Sequence, residues 1–213
     1  MPAQGCLTLD EALARLDRLK TRPQRAVHLL GRNLHLCADA RVARCLMECA
    51  ITTSRFDVAE DVLTVAEDPS GLMRAHLCLV RDDPAGAVAA LRAVPANALD
   101  RARFFGLRVR ALALSGNYSC AVTATFEWAA DFPGAPVPYR TLARALADGD
   151  DPRAQDWFEC AVFVTGGNTS CRLDLAEHLM EQGKAKSARA HLDILTAANG
   201  TAARRRDALM RAL

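Results

Sequence analysis

No run of 18 apolar residues occurs anywhere in the chain of 213 residues, which excludes a helix long and apolar enough to cross a bilayer. The opening Met1-Pro2-Ala3-Gln4-Gly5-Cys6-Leu7 lacks a basic start followed by a long apolar core, so a secretory signal is not expected. Charge of one sign is missing too. With 27 Lys and Arg against 25 Asp and Glu the net charge is +2, too near neutral to demand nucleic acid or an anionic membrane as partner. Val and Ile form no alternating runs, so no strand is expected. These absences predict a soluble, cytoplasmic protein with no membrane span.

Catalytic signatures are equally scarce. No Ser-His-Asp order, His-Glu-x-x-His motif or paired carboxylates of a dry pocket can be read from the chain. Gly166-Gly167 lacks the preceding strand and the Lys of a phosphate-binding loop and reads as a turn. Neither an enzyme nor a cofactor is expected. The eight cysteines are scattered over helical stretches rather than set at the spacing of a disulfide framework, which suits buried, reduced thiols. Cys45 and Cys49, four apart, would present two thiols on one helix face, but no second ligand pair lies near, so no metal site is expected. His28 and His35, seven apart, would share a helix face and read as solvated or core-edge residues. Asn117-Tyr118-Ser119 and Asn168-Thr169-Ser170 fit the glycosylation pattern but read as turns without a secretory route.

What the chain does contain is material for helices. It is 51% hydrophobic and 24% charged, enough for a substantial core, and Ala, Leu and Arg dominate, which favours helix throughout. Breakers fall about every fifteen residues. One set includes Thr21-Arg22-Pro23, Ser54-Arg55-Phe56-Asp57, Asp82-Asp83-Pro84, Gly116-Asn117, Gly149-Asp150-Asp151-Pro152 and Gly183-Lys184. The alternate set includes Ala38-Asp39, Asp68-Pro69-Ser70-Gly71, Pro95-Ala96-Asn97, Pro133-Gly134-Ala135-Pro136, Gly166-Gly167-Asn168 and Asn199-Gly200. Asp83-Pro84 and Asp151-Pro152 have the form of helix starts, an Asp to cap free N–H groups and a Pro whose missing N–H costs nothing there.

An alanine recurs at Ala26, Ala59, Ala87, Ala121, Ala154 and Ala188, in steps of 33, 28, 34, 33 and 34 residues. Four positions after each stands Leu30, Leu63, Leu91, Thr125, Phe158 or Leu192, bulky and apolar in five of the six cases. Leu175-Ala176 with Leu179, and Leu13-Ala14, echo a recurring first-helix pattern. With this period, a small residue four before an apolar one and a terminal proline such as Pro133, the chain resembles the tetratricopeptide repeat, a helix-turn-helix unit. The resemblance implies an all-α, right-handed superhelical solenoid in a single domain. Its repeats would occupy about 7–38, 39–69, 70–96, 97–134, 135–167 and 168–200, with a capping helix over 201–213.

Along the chain, Thr8 stands in capping-box spacing with Glu11 at the start of a helix over Thr8–Lys20, followed by one from Pro23 to about Cys37. The third pair is short and coincides with the contracted spacing. The fourth carries Phe104, Phe105, Phe126 and Trp128 as the expected thermal centre of the stack, and Trp157, Phe158 and Phe163 cluster in the fifth. In the last helix, Ala203, Leu209, Met210 and Leu213 would cover the final pair while Arg204, Arg205 and Arg206 face water.

The resemblance further implies a protein-binding groove along the first helices. Carried over by register, the early repeats would offer Glu11, Arg15, Arg18, Arg41, Arg44, Glu48, Arg103 and Arg110, and the later ones Tyr139, Leu146, Leu173, Glu177 and Met180. An arginine-rich end and an apolar end suit an extended peptide or helix with an acidic segment and an apolar anchor. The Lys and Asn pairing with which some members clamp a C-terminal carboxylate is absent. The leading expectation is a non-enzymatic adaptor, scaffold or chaperone-like subunit of a larger assembly. The alternative is a nucleic-acid-associated regulator using these arginines and the basic last helix.

Overall fold

The computed structural model describes residues 7–66, 71–92, 94, 100–195 and 200–213. The expected breakers at Asp68-Pro69-Ser70, Pro95-Ala96-Asn97 and Asn199, together with Cys6, lie outside them. Among the described residues there are thirteen α-helices, one 3₁₀ segment and no strand. The contacts divide the chain into two compact units, one ending at Asp100 and the other starting at Arg101.

The first unit holds α1 (Leu9–Lys20), α2 (Pro23–Gly31), the 3₁₀ segment Leu34–Ala38, α3 (Ala40–Thr52), α4 (Phe56–Val65), α5 (Leu72–Val80) and α6 (Pro84–Arg92). Thr8 and Glu11 form the expected capping box, with reciprocal bonds between side chains and backbone N–H groups. The helix expected to reach Cys37 stops at Gly31. His28 therefore lies on α2 and His35 in the 3₁₀ segment, both exposed, and they share no helix face. Asp39 then caps α3, accepting from the N–H groups of Arg41 and Val42. α3 is the centre of this unit, touching α1, α2, α4 and α5, and it buries Val42, Ala43, Cys45, Leu46, Met47, Cys49 and Ala50.

The second unit holds α7 (Arg101–Leu114), α8 (Tyr118–Asp131), α9 (Val137–Asp148), α10 (Ala154–Val164), α11 (Thr169–Glu181), α12 (Ala185–Asp193) and α13 (Gly200–Ala212). Within it α7 packs on α9, α9 on α11 and α11 on α13, so the first helices of consecutive pairs touch as well as each pair's own two helices. In the first unit α1 meets α3 and α3 meets α5 in the same way. α10 starts two residues beyond the expected proline, after a turn over 152–153 whose Arg153 N–H donates to Asp151.

Five within-pair turns share one backbone solution. Ser54, Asp82, Gly116, Asp150 and Gly183 have positive φ, in steps of 28, 34, 34 and 33 residues. After each, the next residue's N–H reaches back five positions: Arg55 to Ala50, Asp83 to Cys78, Asn117 to Leu112, Asp151 to Leu146 and Lys184 to Leu179, all at 2.8–2.9 Å. This closes the carbonyls left free at the end of a helix and reverses the chain. All six periodic alanines are 0% exposed. Of the residues four positions on, Leu63 is partly buried and the other five are buried. Thr125, the polar member, donates its hydroxyl to the Ala121 carbonyl at 2.9 Å, so it carries no unmet bond into the core.

The aromatic expectations need correction. Phe105 and Trp128 are buried and stack at 6.3 Å between centroids, but Phe126 is 54% exposed and Phe163 is 86% exposed. Phe163 lies five residues beyond the buried Phe158, about 140° around the helix, and so faces away from the core.

Candidate functional site

In the second unit an open cleft of about 560 Å³ runs along the first helices, lined by Arg110 of α7, Thr141, Arg144 and Asp148 of α9, and Asp174, Glu177, His178 and Glu181 of α11. Its wall is built on Asp174, a carboxylate within the apolar run Leu173-Asp174-Leu175-Ala176, whose side chain is 1% exposed. Three guanidinium groups hold it there. Arg140 Nε donates to Oδ2 at 2.5 Å, while Arg144 Nη2 and Arg205 Nη1 each reach Oδ1 at 2.8 Å. Burial pushes the Asp174 carboxyl up, but the hydrogen bonds from Arg140 and Arg205 outweigh it and hold the group below the usual carboxylate range. Arg205 also bonds Glu177. The cluster thus ties α9, α11 and α13 together, since a buried charge is tolerated only when paired and hydrogen-bonded.

Behind this wall, His178 is 7% exposed and packs against Phe158 with ring centroids 5.0 Å apart. Its Nδ1 is buried without a hydrogen-bond partner, with the Glu181 carboxylate 4.0 Å away. Burial lowers the imidazole pKa; Glu181 opposes that shift and Lys184 adds to it. The open face of the cleft is therefore charged, with Arg110, Arg144 and the acids of α9 and α11 over a buried Phe158–His178 pair. Its lining hydroxyl, Thr141, donates to the Val137 carbonyl of its own helix. The arrangement suits the binding of a group that carries charge.

The residues expected to bind a partner are divided by the fold. Arg15 and Arg18 line a cleft between α1 and α2. Arg41 and Arg44 line another, of about 580 Å³, where α1 faces α3; Arg41 pairs with Asp39 at 2.9 Å and Arg44 with Asp100 at 3.4 Å. Arg103 is half-buried on α7, and Arg110 lines the second-unit cleft. Tyr139 and Leu173, expected in the groove, are core residues at 9% and 2% exposure, so they have no surface to offer a partner. Met180 is half-buried. Arg205 and Arg206, expected to face water, are also engaged, Arg205 in the Asp174 cluster and Arg206 by Asp207 and the Leu195 carbonyl.

Sequence reasoning missed Arg140, Arg144, Asp174 and His178. An acid embedded in an apolar run, with two arginines four apart on another helix, is the signal that was present. Cys45 and Cys49 are buried; burial first, then Cys49, pushes the Cys45 thiol up to about 12, as expected of core thiols. Among the described residues no group of three or more His, Cys, Asp and Glu side chains is placed to hold a metal ion. No protein-family model, curated protein or solved structure matches the chain.

Proposed function

We propose that this protein is a non-enzymatic interaction module whose hairpins stack as a tetratricopeptide-like solenoid and hold a segment of a partner protein along their first helices. The observation that carries this reading is the second-unit cleft: three consecutive first helices, α7, α9 and α11, contribute to one open, charged surface beside a buried Phe158–His178 pair. Arg110 supplies a forked donor for an acidic side chain of the partner, and Asp148 and Glu181 supply acceptors for a basic one. The nucleic-acid alternative is weaker, because two of the three terminal arginines are already bonded within the protein.

The test is selection of peptides from a random display library on the immobilised full chain, with affinities then measured by calorimetry. An Arg110→Glu, Asp148→Lys double variant reverses charge across the cleft while conserving net charge. Selected peptides are expected to lose about tenfold or more in affinity for it, as for removal of a charge-assisted bond. Peptides binding both proteins equally, or no peptide above background, would reject the cleft as the binding surface.

A further inference from the structure

Several exposed arginines in this protein are paired. Arg41, Arg44, Arg55, Arg81 and Arg153 each meet an acidic side chain. The cleft between α1 and α2 differs. Arg15 and Arg18 of α1, Arg22 of the turn and Arg25 of α2 surround about 510 Å³ of space over Leu19 and Leu29, and no acidic side chain lines it. All four arginines are exposed, and among the described residues none has a guanidinium ion pair or hydrogen bond. Glu11 feels the charge of Arg15, but its carboxylate accepts from the Thr8 N–H. The first turn of α2 contains no acid and no side-chain cap, so Arg25 stands at the positive end of a helix dipole, where a cation is disfavoured.

Four like charges around one opening repel one another, and among the described residues none of the four is held in an ion pair. A single carboxylate would neutralise one. A compact oligophosphate carries several negative charges in a volume that such a cleft admits, and its oxygens match the two-pronged geometry of guanidinium groups. The leucine floor leaves room for an apolar portion of the ligand. We propose that the α1–α2 cleft binds a compact oligophosphate anion, free or carried on a nucleoside. This site is separate from the second-unit cleft and does not depend on it.

The test is calorimetric titration of the full chain, at fixed ionic strength, with sodium tripolyphosphate and with a nucleoside triphosphate. The expected result is one saturable site whose affinity falls about tenfold or more in an Arg18→Gln, Arg25→Gln variant of unchanged helicity. An Arg41→Gln, Arg44→Gln variant is expected to bind as the wild type does. Tighter binding of the nucleoside triphosphate identifies a nucleoside-borne ligand, and tighter binding of tripolyphosphate a free one. The proposal is overturned if neither saturates, if both variants lose affinity equally, or if a hexaglutamate peptide binds more tightly than either phosphate.

Discussion

Asp174 occupies a position where the surrounding sequence calls for an apolar side chain, between Leu173 and Leu175 on a helix that buries both. It remains ionised there because Arg140, Arg144 and Arg205 converge on its two oxygens. Replacing it with Ala would leave three guanidinium groups without their common acceptor. Complete loss of one partner from a buried pair costs about 3–5 kcal/mol. Arg144 and Arg205 are 53% and 30% exposed, so water recovers part of that, and about 2–3 kcal/mol is expected for Asp174→Ala. Urea unfolding measures it directly, and an unchanged midpoint would show that the cluster contributes nothing. A well-packed Asp174→Leu replacement is expected to cost less if its arginines turn outward to solvent.

The hairpins owe their regularity to two small features, a left-handed residue in each of five within-pair turns and a fully buried alanine shortly after it. The turn sites and the alanines were legible from the chain, because breakers and short side chains act within a few residues of where they stand; the left-handed backbone at Ser54, Asp82 and Asp150 was not. Ala121 and Ala188 have no exposed surface, so a larger side chain at either must push neighbouring atoms apart. Ala121→Leu and Ala188→Leu are each expected to cost on the order of 1–3 kcal/mol. Thermal unfolding of both variants at the wild-type temperature would contradict close contact at these positions. The end of α2 at Gly31 and the outward Phe163 were not legible in the same way. Helix propensity does not mark where tertiary packing stops a helix, and an aromatic residue does not declare which side of a helix meets a neighbour.

For the molecule as a whole, the buried His178 and the half-buried His191 set a direction for the pH response. Burial lowers the pKa of both His178 and His191 below the ordinary value of about 6.5. The folded state therefore favours the neutral imidazole, and protonation favours unfolding. Stability from this source is complete above about pH 6.5 and falls as pH drops toward the lowered folded values. Asp174, whose folded pKa is also lowered, extends the loss to more acidic pH, because its contribution is present above its unfolded value and disappears below it. The unfolding temperature is expected to be level from pH 7 to 8 and to decline steadily below 6.5. His178→Gln should make that decline shallower, even at lower overall stability. A melting temperature that rises from pH 7 to 5.5 would reverse the assigned sign.

The chain by itself determined the all-helical character, the capping box at Thr8 and Glu11, the sites of most turns and the periodic buried alanines. These depend on propensities and hydrogen bonds that close within one segment. Tertiary structure alone decided that Arg15 and Arg18 belong to a different cleft from Arg41 and Arg44, that Tyr139 and Leu173 lie inside, and that Asp174 gathers arginines from 30 or more residues away in either direction. The reason is geometric. A helical residue's neighbours along the chain fix its angle around the axis, but which angle faces a partner helix and which faces water is set only when distant segments pack.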